Sequence, residues 1–341
     1  MWLFQIKYLP LQSVFNIYAM KRILYILLPV AFVLGVCSLR TANDGMKIAA
    51  TDGLHPATNA VYYWRTQFAL SDEERAFLKR HNVGRMYLRM YDVIDYFDNI
   101  EPNAILQFED TVPENLEIVP VVFIPDYTVR CLESRADVCA LADKIVELTM
   151  RMCSWNNITN WHELQLDCDF LESSRDNFYE LCRAVKKSLP EGYLLSSTIR
   201  LFQLKQAAPP VDCGVLMAYN TDDFRSPSTT NSILNDSTVE KYLDCRSDFQ
   251  LPLDIALPIY HWNLLYNSEG EFIGITECTE TEPGEKLKYE MVPYETIRRT
   301  QSLLHKYLHL QNGHYTTILY HLDSENTKLY TDEEIKSIYS H

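Results

Sequence analysis

Polar and apolar residues alternate along the run Glu163-Leu-Gln-Leu-Asp-Cys-Asp-Phe170. Successive side chains of an extended strand point to opposite faces. Glu163, Gln165, Asp167 and Asp169 therefore share one face, and Leu164, Leu166, Cys168 and Phe170 fill the other. Seven further runs read as strands: Val61–Phe68, Arg85–Val93, Leu116–Ile124, Tyr193–Leu201, Gly214–Asn220, Leu253–Tyr260 and Tyr315–Leu322. Between them the apolar spacing lengthens to that of amphipathic helices, at Ala136–Met152, Arg175–Leu189, Thr238–Arg246, Tyr294–Leu308 and Thr331–Tyr339. Ser71-Asp-Glu-Glu74 opens the first helix with a capping box, Ser71 reaching Glu74. The link Asp95–Pro113 carries the weakest pattern.

Eight strands alternating with helices predict an α/β fold, a single (β/α)8 TIM barrel over residues 60–341. An open doubly wound sheet is the competing arrangement. It lacks support, because no glycine-rich phosphate turn occurs and the chain holds only 10 glycines. Asn267–Glu290, rich in Glu and Thr, interrupts the seventh strand-helix unit. It reads either as an insertion that walls a cleft on the strand-end face or as a plain surface loop.

The N-terminal segment, residues 1–37, reads as an export signal. Met20-Lys-Arg22 is basic, and Ile23–Val36 is uncharged and apolar but too short to span a bilayer. Leu34-Gly-Val-Cys37 resembles a bacterial lipobox, in which Cys37 is the lipidated residue; Val36 departs from the usual small residue. Residues 38–59 read as a polar tether. These features predict an exported bacterial lipoprotein. Membrane contact is expected only through this N-terminal lipid or signal anchor. Eight cysteines besides Cys37 are scattered without a C-x-x-C pair, which disfavours zinc and reads as small buried residues. The net charge of -15 excludes nucleic acid as the main partner, since phosphate binding needs basic patches.

In a barrel the C-terminal strand ends converge on one mouth. The polar residues expected there are Trp64 from the first strand, Arg89 and Asp92 from the second, and Asp167 and Asp169 from the fourth. Arg200 comes from the fifth, Tyr219 and Asn220 from the sixth, His261 and Trp262 from the seventh, and His321 from the eighth. Acids, amides and aromatic faces together suit a carbohydrate, whose apolar ring faces stack and whose hydroxyls need acceptors. Asp169, nearest the mouth, is the candidate general acid, with Asp167 raising its pKa by repulsion. The same two acids read equally as carboxylates paired with Arg89 or Arg200 inside the barrel. Trp64 and Trp262 are stacking platforms or core. His261 and His321 are hydrogen-bonding residues before they are metal ligands, so no metal is expected. No cofactor motif is found and none is expected.

With these residues placed, the chain resembles the family 18, chitinase-like, glycoside hydrolases. The resemblance rests on the fourth-strand acids, on Met217-Ala-Tyr-Asn220 and on Leu257-Pro-Ile-Tyr260. It is also similar to exported glycosidase-like barrel proteins of gut Bacteroidetes, a resemblance that implies a periplasmic or outer-membrane lipoprotein of a Gram-negative bacterium. That family reads D-x-x-D-x-D-x-E on its fourth strand. Setting Asp169 on the catalytic Glu puts Asp167 on the last Asp, Gln165 on the middle one and His162 on the first. Setting the two acids literally leaves Leu171 where the Glu belongs. Neither register reproduces the motif. The resemblance implies that Tyr219 holds a substrate acetamido group. It implies an exported glycoside hydrolase-like protein acting on an oligosaccharide or polysaccharide, or a non-catalytic carbohydrate-binding lipoprotein on the same barrel. An assembly lipoprotein with a relic cleft is the third reading, because fold alone does not fix function.

Overall fold

The computed structural model describes residues 51, 53–96, 99–243, 249–276, 280–310 and 314–340. The expected export segment, with Cys37, lies outside them, as does most of the expected tether.

Eight strands form one closed parallel sheet: β1 Asn59–Tyr63, β2 Val83–Tyr96, β3 Glu117–Phe123, β4 Glu163–Asp167, β5 Leu194–Arg200, β6 Cys213–Met217, β7 Leu253–Pro258 and β8 Thr317–Tyr320. Each pairs with its neighbour in sequence, and β8 pairs with β1 through Asn59↔Thr317 to close the barrel. All eight overlap the runs that the alternation predicts, with β1 starting earlier and ending at Tyr63 and β2 running longer at both ends. Their outward residues pack on helices α1 Asp72–Arg80, α2 Asp126–Arg130, α3 Arg135–Trp155, α4 Arg175–Ser188, α5 Asp236–Leu243, α6 Tyr294–Leu308, α7 Ser324–Thr327 and α8 Asp332–Ser340. The capping box at α1 is formed: the Glu74 amide donates to Ser71 Oγ at 3.1 Å, and the Ser71 amide donates to Glu74 Oε2 at 2.9 Å. Among the described residues no helix is long and apolar enough to cross a membrane.

Two connections depart from simple alternation. After β2, Asn99–Asn103 folds back antiparallel, Asp92 opposite Asn103, so an arm rises here in place of a helix. After β5 only a 3-10 turn, Leu201–Lys205, intervenes. The seventh unit carries the expected insertion as a folded three-stranded antiparallel sheet, His261–Tyr266, Phe272–Thr276 and Lys286–Met291. Asn267–Glu290 is therefore more than a surface loop.

The fourth strand ends at Asp167, three residues short of the predicted Phe170. Phe170 turns into the core and stacks on Phe178 of α4, ring centroids 4.9 Å apart, which draws the chain out of the sheet. At the barrel's other end the last part of the expected tether is packed rather than free. Thr51 and His55 are buried, and Thr51 Oγ1 donates to Asp254 Oδ1 at 2.7 Å. Cys153, Cys168, Cys182 and Cys213 are buried, while Cys131 and Cys139 are exposed.

Candidate active site

The barrel interior is layered, because inward residues of neighbouring strands sit level in register. Gln165 lies opposite Ser196, and Ser196 opposite Cys213. The layer at the strand starts is charged. Arg85 donates to Glu117 Oε2 at 2.9 Å and lies 2.9 Å from His55 Nδ1. His55 Nε2 is 3.3 Å from Asp254 Oδ2 and 3.9 Å from Glu163 Oε2, with Cys213 close by. His, Glu and Cys together suggest a metal, but the proton positions oppose one. A guanidinium only donates, so Nδ1 must accept and the ring proton sits on Nε2, the nitrogen a cation would need. The layer is a buried ionic floor at the end of the barrel associated with stability. A hollow of about 450 Å³ also opens at the strand starts, lined by Arg75, Leu78, Lys79, Val83 and Leu116 among others. It gathers neither an acid pair nor an aromatic wall.

The middle layer is uncharged. Tyr62 donates to Gln165 Oε1 at 2.6 Å, and its ring lies 5.0 Å from that of Tyr87.

At the mouth the acids and the arginines meet. Asp167 is 2% exposed, and Thr198 of β5 donates to its Oδ1 at 2.6 Å. Asp169, just past β4, has a half-exposed side chain and is ion-paired to Arg200 Nε at the end of β5. Asp167 is the deeper of the two, and its own carboxyl is raised. Burial disfavours the charge of Asp167, and the Asp169 carboxylate adds repulsion. Arg200, Thr198 and Arg89 oppose these without cancelling them, and the pKa is pushed up to about 6.

Arg89 and Asp92 reach the same rim by a device that alternation misses. A bulge between Arg89 and Tyr91 shifts the parity of β2. Tyr91 consequently points outward, donating to Ile145 O on α3. Arg89 then grips both oxygens of Asp92, at 2.9 and 2.6 Å. Burial raises the pKa of Asp92 despite these bonds. The Arg89 guanidinium also lies over Trp64, 5.6 Å from the ring centroid.

Aromatic rings cluster near the acids. Tyr320 at the end of β8 is central: it stacks on Tyr219 at 4.9 Å and contacts Tyr62, Trp64 and Tyr260 at 5.6 to 5.8 Å. Tyr260 continues the chain to Trp262 at 5.5 Å. The Tyr219 hydroxyl is buried and has no hydrogen-bond partner. Asn220 beside it adopts a left-handed φ of 53°, which Asn tolerates better than most residues, and its Oδ1 accepts from the Tyr260 hydroxyl. The sequence reading passes over Tyr320 and Thr198. Both share the inward parity of their strands, so counting by two from Ile318 and from Arg200 finds them.

The two histidines gather elsewhere. His261 Nδ1 lies 3.1 Å from Asn326 Oδ1, and His321 Nε2 lies 3.4 Å from Asn326 Nδ2. They share a partner on α7 and are not held against the acid pair. Burial lowers the pKa of His321. Arg65, at the end of the first strand, donates to both carboxylate oxygens of Glu74 at 2.9 Å.

Solved structures share this architecture. The spore cortex-lytic enzyme SleL of Bacillus cereus matches with a TM-score of 0.51 and 11% identity, over 82% of this chain and 74% of that one. A chitinase from Chromobacterium violaceum matches at 0.51 and 13% identity, over 83% and 98%. A chitinase from Bacteroides thetaiotaomicron matches at 0.52 and 11% identity, over 83% and 96%. The fold is that of the chitinase-like glycoside hydrolases. At these identities the likeness is one of fold. No protein-family model matches the sequence, and no curated protein matches it. In (β/α)8 barrels generally the strand-end mouth is the place for chemistry, and here it holds the acid pair and a cluster of aromatic rings.

Proposed function

We propose that the protein is an exported glycoside hydrolase that acts on an oligosaccharide or polysaccharide at this mouth. The observation that carries the reading is the asymmetric acid pair. One carboxyl is buried with a pKa near 6, its neighbour is half exposed beside Arg200, and the cluster of rings around Tyr320 lies near both. A carboxyl poised near 6 holds its proton in weakly acidic solution and can pass it toward a leaving oxygen. Asp167 then holds the proton, and Asp169 with Arg200 forms the charged partner. Tyr219, Asn220, Arg89, Asp92, Trp64 and Trp262 hold the sugar. The free hydroxyl of Tyr219 supports a ligand hydrogen bond at that point. His261 and His321 stay at the periphery of this scheme.

One observation favours the second reading, carbohydrate binding without cleavage. Both carboxylates are engaged, Asp167 by Thr198 and Asp169 by Arg200. Each is also one methylene shorter than Glu. A reacting group misplaced by about 1 Å loses on the order of a hundredfold in rate.

The test is a glycan panel, beginning with chitin oligosaccharides, scored for both binding and released product. Product that disappears in Asp167→Asn and in Asp169→Asn, with binding retained, supports the enzyme. Binding without product supports the second reading. Neither binding nor product would sink the carbohydrate assignment. Export and lipid attachment are proposed from Met20–Cys37 alone. Labelling with a radioactive fatty acid, lost in Cys37→Ala, tests them.

A further inference from the structure

Glu290 sits on the return strand of the insertion, far in sequence from the acid pair, and is 2% exposed. A buried carboxylate needs donors or a counter-charge, and this one has three hydrogen bonds and an ion pair. Trp262 Nε1–H donates to its Oε2 at 3.0 Å. The amide and hydroxyl of Ser232 donate to the same oxygen at 2.9 and 2.5 Å. Lys288 Nζ lies 2.6 Å from Oε1 and also donates to the Thr229 carbonyl. Burial alone would raise the pKa of Glu290. The bonds from Lys288, Ser232 and Trp262 outweigh it and hold the group below its ordinary value.

Three segments therefore meet on one anion. The first is the loop after β6, which begins at Tyr219 and Asn220. The second is the strand after β7, which carries Trp262. The third is the insertion's own edge. Asn231 Nδ2 adds a bond to Met291 O at 2.7 Å. Phe224 of the same loop packs against Trp262 at 5.7 Å, and Tyr266 donates to Phe224 O at 2.6 Å. An indole held through its N–H loses rotational freedom, which keeps its edge-to-face contact with Tyr260, ring planes 75° apart.

We propose that Glu290 is the positioning residue of the site's aromatic wall: it touches no ligand, but by holding the Trp262 indole and clamping the loop after β6 it sets ligand affinity. As a statement about affinity this rests on the carbohydrate reading above. As a statement about Trp262 it stands independently.

The experiment compares Glu290→Gln, Glu290→Ala, Trp262→Ala and the double Glu290→Ala/Trp262→Ala. The direct readout is the indole N–H resonance of Trp262 in the ¹⁵N-labelled full chain, assigned by its loss in Trp262→Ala. The second readout is affinity for chitin oligosaccharides and for any other panel sugar that binds. In Glu290→Ala the indole resonance is expected to move and broaden, and affinity to fall about tenfold. Glu290→Gln keeps one acceptor oxygen and should recover most of both. In the Trp262→Ala background, Glu290→Ala should cost nothing further, because residues acting through one contact are not additive. An unmoved indole resonance in a folded Glu290→Ala protein, or fully additive affinity losses, overturns the proposal. Should Glu290→Ala not fold, Glu290→Leu carries the test: it fills a similar volume but offers no acceptor, so the Trp262 resonance must still shift. If the unaltered protein binds no sugar, the functional reading fails while the indole result still decides the role of Glu290.

Discussion

Thr198 donates its hydroxyl proton to Asp167 Oδ1 at 2.6 Å, across the seam between two neighbouring barrel strands. That bond stabilises the carboxylate form, so it works against the burial that lifts Asp167 to about 6. Thr198→Val keeps the volume and removes the donor. The Asp167 pKa should then rise above 6, carrying the pH profile of any turnover to higher pH. Carbon-13 NMR of the labelled aspartates would follow the titration directly. A profile that stays in place, or moves to lower pH, would show that the bond does not tune this group.

The same shift makes a stability prediction. Asp167 has a folded pKa above its ordinary value of 3.8, so the folded state binds the proton more tightly than the unfolded chain. Its contribution is fully present below about pH 4 and is lost as pH rises through about 6. Asn in its place carries no charge to penalise. Asp167→Asn should therefore raise stability at pH 7 by up to about 3 kcal/mol and change it little at pH 4. Urea unfolding at the two pH values measures this. Equal effects at both would mean that the carboxyl is not held in its raised state.

Tyr219 separates binding from folding. Its hydroxyl is buried and meets no hydrogen-bond partner among the described residues. Removing an unsatisfied polar atom costs the fold nothing and can stabilise it. Tyr219→Phe should leave the thermal midpoint equal or higher. If a ligand supplies the missing acceptor or donor, the same change weakens binding roughly tenfold. A lower midpoint with unchanged affinity would make Tyr219 a packing residue only.

Much of this arrangement is legible in the chain. The period of two along Glu163–Asp167 puts Glu163, Gln165 and Asp167 into the barrel, and all three are there, one in each layer. The Ser71–Glu74 capping box is a local code and forms as read. What escapes the pattern has physical causes. A single bulge at Arg89–Tyr91 resets the parity of β2, and nothing in the composition of that run announces it. Tyr320 is visible by parity, but a neighbouring histidine with more evident chemistry draws attention away. The division of labour between Asp167 and Asp169 depends on depth, which only the end of β4 decides. Glu290 reaches its partners Ser232 and Trp262 across gaps in sequence that no local periodicity spans.

The charged floor yields the last prediction. Arg85 is fully buried and is the cation facing Glu163 and Asp254 at the strand starts. Burial raises both acids, Asp254 to about 6, and Arg85 pulls each back down. Arg85→Met fills a similar volume but leaves two buried carboxylates without their counter-charge. Removing one partner of a buried ionic group costs about 3–5 kcal/mol, because the survivor stays desolvated and unpaired. The loss should be greatest at neutral pH and smaller near pH 4, where Glu163 and Asp254 take up protons. Adding Glu163→Gln to Arg85→Met removes one of the stranded charges and should restore part of the stability at pH 7. Denaturant unfolding of the two variants at both pH values checks this. If Glu163→Gln gives no recovery, then the floor is held by packing around Arg85 and not by its charge.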